Sequence, residues 1–94
     1  MPFDVRISKK ADAELSGLSR SGDKKIAKRI LEGLEHLAEN PHTPRPGTDI
    51  LQLEAVDPKM WRLRVGQYSI LYAIDEKNRI VNVTMIIHRK KAYR

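Results

Sequence analysis

Two arginines separated by one residue are the side chains of this sequence best suited to binding a phosphate. In the run Trp61-Arg62-Leu63-Arg64-Val65, apolar and basic residues alternate, so a β-strand would place Arg62 and Arg64 together on one face. Neighbouring guanidinium groups repel one another unless an anion joins them, and their planar forks match phosphate oxygens. The pair therefore indicates a phosphodiester or an acidic protein segment as ligand. The alternative without a ligand is an edge strand protected by its charges.

A second basic cluster lies at the C-terminal end of the sequence. It consists of Arg89, Lys90, Lys91, Tyr93 and Arg94, with His88 directly before it. A ring beside cations can stack on an unpaired base while the cations neutralise phosphates, although a basic tail can also be merely solvated. His88 is the nearby side chain that titrates close to neutral pH, which makes it a candidate general acid or base. The alternative for His88 is a structural role.

The positive charge is concentrated in the last third of the chain. The whole sequence carries a formal charge of +6. Residues 1–58 contain 9 Lys/Arg and 10 Asp/Glu, a net of −1, whereas residues 59–94 contain 9 Lys/Arg and 2 Asp/Glu, a net of +7. This asymmetry indicates a polyanionic partner, either nucleic acid or an acidic protein, rather than a general aid to solubility.

Composition excludes several other kinds of chemistry. The chain has 94 residues, which predicts one domain over residues 1–94 and leaves no room for a separate cofactor-binding module. With no cysteine there is no disulfide and no thiolate nucleophile, and three scattered histidines have no metal-site spacing. We therefore expect no metal and no cofactor. The N-terminal residues contain no apolar run suited to a signal peptide or membrane span, so a cytoplasmic protein without membrane contact is expected.

The first half of the sequence predicts a strand followed by two helices. Residues 3–8 alternate between apolar and polar, which is the pattern of a half-buried strand. Ser8 can cap a short helix in which Ala11, Leu15 and Leu18 recur at helical spacing. Residues 23–40 carry an apolar stripe with charged residues outside it, and Asn40-Pro41 ends this second helix.

The second half predicts strands only. After a proline-rich loop at 41–47, strands are expected at 50–53, 60–65, 68–74 and 80–87, with turns at 56–59, 66–67 and 75–78. The predicted fold class is α+β, with an N-terminal strand, two helices, and an antiparallel meander completing a sheet of four or five strands. Because the helices must cover one face of the sheet, the other face is left open to a ligand.

Two motifs on these elements resemble a known family. The run from Trp61 to Tyr72 resembles the central hairpin of RelE/ParE toxins, in which a basic strand, a Gly-x-Tyr turn and a strand ending in an aromatic residue follow in that order. The segment 88–94 resembles the C-terminal Arg and Tyr signature of the same toxins. Together with the chain length and element order, these motifs identify the chain as a member of the RelE/ParE superfamily.

The resemblance implies a RelE-like fold of the microbial ribonuclease type and a specific activity. RelE-like toxins are endoribonucleases that cut messenger RNA in the ribosomal A site without a metal, by attack of the ribose 2′-hydroxyl on the adjacent phosphate. A cognate RelB-like antitoxin neutralises them. The matching positions here are Arg62 and Arg64 on the central strand, Arg89 after the last strand, and Tyr93 in the tail, with His88 beside them. Contacts to RNA phosphates are expected from Lys59, Lys90, Lys91 and Arg94.

Such a cleavage needs a base for the 2′-hydroxyl, positive charge around the phosphorane, and an acid for the leaving oxygen. A guanidinium with a pKa above about 12 hardly ever loses its proton near neutral pH. Arg62 and Arg64 are therefore assigned to stabilising the phosphate and the transition state, and Arg89 to charge on the leaving group. Some relatives use a carboxylate as base near the strand before the hairpin, where this chain has Asp49 and Glu54. The alternative for these two residues is a solvated carboxylate or one that pairs with a helix.

One departure from the family pattern leaves the function open. RelE-like toxins usually carry an arginine directly after the hairpin tyrosine, whereas this chain has Ser69. A phosphate contact is thereby lost. Two alternatives to the nuclease remain, namely a ParE-like inhibitor of DNA gyrase and a non-catalytic homologue whose groove only receives an antitoxin.

Overall fold

The computed structural model describes residues 2–43, 49–53 and 59–88. Along the chain, these residues form the elements β1 (Asp4–Ile7), α1 (Lys9–Arg20), α2 (Lys24–Glu39), β2 (Asp49–Leu53), β3 (Met60–Val65), β4 (Tyr68–Asp75) and β5 (Ile80–His88). The order of strand, two helices and four strands confirms the α+β class expected from the sequence. The proline-rich loop beyond residue 43 and the turn at 56–58 lie outside the described residues.

Local signals in the sequence set the limits of both helices. The Ser8 hydroxyl caps α1 by accepting a hydrogen bond of 3.1 Å from the backbone N–H of Ala11. Helix α2 ends at Glu39, and its C-cap Asn40 is extended directly before Pro41, as the disfavoured helical conformation before proline predicts. The apolar stripe of α2 is buried against the sheet, and its buried residues are Ala27, Ile30, Gly33, Leu34 and Leu37.

The five strands form one sheet in the order β1-β5-β4-β3-β2. Strands β2 to β5 form the expected antiparallel meander. Strand β1 pairs in parallel with β5, a pairing that the sequence did not indicate. The register between β4 and β5 shifts at Leu71 and Tyr72, because Met85 pairs with Leu71 and Val83 with Tyr72, so that Thr84 is skipped. This β-bulge reverses the alternation of β5 beyond residue 84.

The core lies between the two helices and one face of the sheet. Leu63, Ile70, Tyr72 and Val81 are each 0% exposed. The Tyr72 hydroxyl donates a hydrogen bond of 2.7 Å to the Pro41 carbonyl, which ties the segment after α2 to the middle of the sheet. Among the described residues no helix covers the other face, which we call the open face; its strands present the residues that alternate with the buried ones.

Candidate nucleic-acid interface

Arg62 and Arg64 lie on the open face of β3, as the alternation predicts. Between and beside them, Leu63 and Val65 are 0% and 1% exposed on the helix side. Gly33 brings α2 close to this strand, since a methyl group at position 33 would lie 3.0 Å from Leu63 Cδ2. The packing of α2 therefore holds the inward side chains of β3, which fixes the two arginines on the opposite face.

The strands on either side of β3 determine the neighbours of each arginine. In the β2–β3–β4 register, Arg64 lies between Asp49 and Ser69, and Arg62 lies between Leu51 and Leu71. The interface is thus a pair of cations set among apolar side chains, with one carboxylate at its edge. An aliphatic surround of this kind strengthens the electrostatic attraction of an arginine for an anion by reducing competition from water.

The Arg62 side chain is largely buried and incompletely paired. It is 19% exposed, and its Nη2 lies 3.5 Å from Asp49 Oδ2, at the outer limit of a hydrogen bond. The Arg62 Nε is buried and has no hydrogen-bond partner among the described residues. Arg64 forms no ion pair with any described residue. Arg62 is thus held by one long contact, and Arg64 by no ion pair among the described residues, so both guanidinium groups can bind an external anion.

Of the other predicted site residues, only Lys59 and His88 fall within the described part of the chain. Lys59 is exposed directly before β3, next to the start of the arginine strand. Outside the described residues lie Arg89, Lys90, Lys91, Tyr93 and Arg94.

His88 does not lie with the arginines. It is opposite Tyr68 in the β4–β5 register, and the two rings meet edge to face with their centroids 4.9 Å apart. Tyr68 in turn pairs with the buried Val65, so both rings point toward the helices. The structure therefore separates His88 from Arg62 and Arg64 by the thickness of the sheet. The β-bulge at Thr84 is the cause, because a regular strand continuing from Val83 would turn His88 to the open face.

Tyr68 and His88 line a crevice between α1 and the end of the sheet. The crevice has a volume of about 630 Å³, and Glu14 and Asp23 lie on its helix side. Burial, followed by the negative charges of Asp23 and Glu14, raises the pKa of the Tyr68 hydroxyl. Two carboxylates thus lie near the Tyr68 hydroxyl at this end of the helix face.

Asp49 is a site residue whose position sequence reasoning did not determine. The sequence places it before a predicted strand, without indicating which residue of the arginine strand lies across from it. The pairing of Asp49 with Arg64 depends on the β2–β3 register, which is favoured by packing of Ile50 against the core. Asp49 is 13 residues away from Arg62 along the chain, so the sequence gives no local signal of their contact.

The described residues contain no group of three or more His, Asp or Glu side chains that could hold a metal ion. None of their helices is long and apolar enough to cross a membrane.

Comparison with known proteins identifies the family. The sequence profile of the ParE toxin of type II toxin-antitoxin systems matches residues 5–93. The chain is 32% identical over 94 residues to the RelE1 toxin candidate of Methanocaldococcus jannaschii, covering 100% of this chain and 98% of the relative.

Solved structures agree with the sequence comparison. The RelE-RelB complex of Pyrococcus horikoshii contains a chain that is 27% identical, with a TM-score of 0.77 and coverage of 95% of this chain and 97% of that one. The corresponding figures for the RelB-RelE complex of Methanococcus jannaschii are 25%, 0.67, 93% and 93%. The open face with its arginine pair, the element order and these matches together show that the chain belongs to the RelE/ParE superfamily, as a toxin of a type II toxin-antitoxin system.

Proposed function

We propose that this toxin is an endoribonuclease that cleaves messenger RNA in the ribosomal A site. The observation that carries the proposal is the pair Arg62 and Arg64 on an uncovered sheet face, each with donors left for a phosphate. Such a surface suits a substrate with a negatively charged phosphate backbone. The protein would act in the cytoplasm, where its substrate is translated.

The proposed reaction is an internal transesterification that needs no cofactor. The ribose 2′-oxygen forms a bond to the adjacent phosphorus as the bond from phosphorus to the 5′-oxygen breaks. The 2′-hydroxyl proton leaves to a base, and the departing 5′-oxygen receives a proton, so charge and atoms balance. Arg62 and Arg64 stabilise the additional negative charge of the phosphorane, a role that a permanently charged guanidinium fills well.

The tail completes the proposed site. We assign Arg89 to the charge on the leaving oxygen and Tyr93 to stacking on a base, with Lys59, Lys90, Lys91 and Arg94 neutralising phosphates. We do not assign the acid or the base to His88, because its ring lies against Tyr68 on the helix side of the sheet. Its proposed role is packing.

A primer-extension assay on ribosomes programmed with a defined messenger RNA tests the proposal. The unmodified toxin is expected to cut at fixed codon positions, and Arg64→Ala to cut roughly 100-fold more slowly, the usual loss when one transition-state donor is removed. Arg89→Ala should likewise abolish the cuts. Arg6→Ala is the matched control, because Arg6 is an exposed arginine on the edge strand β1, paired with Asp4 rather than near β3.

Inhibition of DNA gyrase is the second candidate function. Two observations favour it, namely the match to the ParE toxin profile and the serine where RelE-like toxins usually carry arginine. Intact messenger RNA combined with inhibited supercoiling in a gyrase assay would establish this function instead of cleavage. If neither activity appears while an antitoxin still binds, the chain is a non-catalytic homologue.

We further propose a RelB-like antitoxin as the partner protein. Related chains were solved in complexes of RelE with RelB. The net charge of +6 and the unpaired donors of the open face suit an acidic segment, which would compete with RNA for the same cations.

A further inference from the structure

The open face contains a carboxylate directly beside the arginine pair. Asp49 begins β2, directly across from Arg64, and its Oδ2 is 3.5 Å from Arg62 Nη2. No other carboxylate among the described residues forms an ion pair with either arginine. Asp49 is 63% exposed, whereas Arg62 is 19% exposed, so the carboxylate is the movable member of the pair.

This pair falls short of a full arginine–carboxylate interaction. A bidentate pair would use two N–H donors at about 2.8 Å, whereas here a single contact is made at 3.5 Å. The Arg62 Nε remains buried without a partner among the described residues. By contrast, Asp4 and Arg6 lie on one face of β1, and Asp4 Oδ2 is 3.0 Å from Arg6 Nε. Asp49 therefore only partly satisfies Arg62, which a phosphate could satisfy better.

We propose that Asp49 is a specificity-determining residue that holds the anion position beside Arg62 until a phosphodiester displaces it. The proposal rests on the proposed RNA-binding role of the open face. A phosphate that displaces Asp49 from Arg62 is repelled by the negative charge of the displaced carboxylate. RNA that contacts only these two arginines therefore binds weakly. RNA held by additional contacts, such as a strand fixed in place by a larger assembly, can overcome the competition. Asp49 thus lowers the affinity for free RNA.

A binding measurement separates this role from catalysis. The probe is a short single-stranded RNA with 2′-O-methyl groups on every ribose, which has no free 2′-hydroxyl and cannot be cleaved. Asp49→Asn keeps the shape of the side chain and removes its charge. We expect this variant to bind the probe roughly fivefold more tightly at low salt, the upper end of the effect of one exposed ion pair. Fluorescence anisotropy gives the Kd of each protein.

Asp4→Asn is the matched control. Asp4 has the same 63% exposure, the same charge and an arginine partner, but it lies on the opposite edge strand. Its removal should change the Kd less than twofold, since only the general charge of the protein changes. Equal tightening in both variants would mean that net charge alone matters, and would overturn the proposal.

A double-mutant cycle with Arg62→Gln tests the mechanism. If Asp49 acts by competing for Arg62, the gain from Asp49→Asn should disappear in the Arg62→Gln background. A gain that persists there, or weaker RNA binding by Asp49→Asn alone, overturns the proposal. Loss of ribosomal cleavage by Asp49→Asn with unchanged probe binding would overturn it as well, by making Asp49 a proton acceptor. An unmodified protein that binds the probe but cuts no messenger RNA contradicts the proposed nuclease only.

Discussion

We expect the identity of residue 69 to affect the affinity of the open face for a phosphate. Ser69 pairs with Arg64 across β3 and β4, on the same side of the sheet. An arginine at this position would add a third guanidinium to the two on β3. The serine hydroxyl, in contrast, offers a phosphate one neutral hydrogen bond, which is worth about half as much as a charged one.

We therefore expect Ser69→Arg to strengthen binding of the uncleavable RNA probe. One added phosphate contact should lower the Kd by about fivefold at low salt and steepen the log–log salt dependence by about 0.7. Asn82→Arg provides the control, because Asn82 is exposed on β5 beside β1, at the far side of the sheet. Equal gains from the two variants would show that the position opposite Arg64 has no special value.

The sequence predicted the face of the sheet on which the two arginines lie, but not the face on which His88 lies. Alternation along β3 sufficed to place Arg62 and Arg64 together, since Leu63 and Val65 have to be buried. For His88 the same rule fails, because one skipped residue at Thr84 reverses every later side chain of β5. No glycine or proline in the segment 80–88 marks the bulge, which arises from pairing with β4.

Among the elements, the contact between α2 and β3 positions the site most directly. Gly33 faces Leu63 and Val65, with only 3.0 Å and 3.4 Å available to an added methyl group. Leu63 is 0% exposed and has little room to move. Glycine is the least favourable residue in a helix interior apart from proline, so its presence here reflects this close approach.

Two alanine substitutions separate packing from helix propensity. Gly33→Ala should lower the free energy of unfolding by about 1 kcal/mol, since overpacking typically costs 1–3 kcal/mol and the propensity gain offsets up to about 1 kcal/mol. Gly17→Ala in α1 should raise it by up to about 1 kcal/mol, because nothing lies within 4 Å of an added methyl group. Urea denaturation followed by circular dichroism measures both, and stabilisation by Gly33→Ala would contradict the packing argument.

The helices and the antiparallel strands could be predicted because their signals are local. Ser8, the apolar stripe of α2 and Pro41 each act within a few residues of the boundary that they set. The parallel pairing of β1 with β5 joins Asp4 to Ile80, residues that no turn connects. Such a pairing arises when the sheet packs against the helices, and the sequences of the two strands do not indicate it.

For the molecule as a whole, Tyr72 makes the stability of the fold depend on pH in the alkaline range. Its ring is 0% exposed, and its hydroxyl donates to the Pro41 carbonyl. Burial raises the pKa of Tyr72 above its ordinary value of 10.0. Since the folded pKa exceeds the unfolded one, this stabilisation is complete below pH 10 and is lost as the pH rises toward the folded pKa.

Tyr72→Phe should therefore change both the stability and its pH dependence. At pH 7 we expect a loss of about 1–3 kcal/mol, because the buried Pro41 carbonyl would lack its donor. Above pH 10 the unmodified protein should lose about 1.4 kcal/mol per pH unit through this residue, and the variant should lack that component. Urea unfolding between pH 7 and pH 11 measures the difference, and parallel pH profiles of the two proteins would count against it.

The parallel pairing of β1 with β5 also affects how the protein folds during its synthesis. Strand β1 emerges first from the ribosome that makes it, and its partner β5 is the last of the five strands to follow. The middle of the sheet is β4, which likewise waits for β5 on one side. We therefore expect the nascent chain to remain without a finished sheet until synthesis has passed residue 88, which would delay the proposed cleavage of messenger RNA until then.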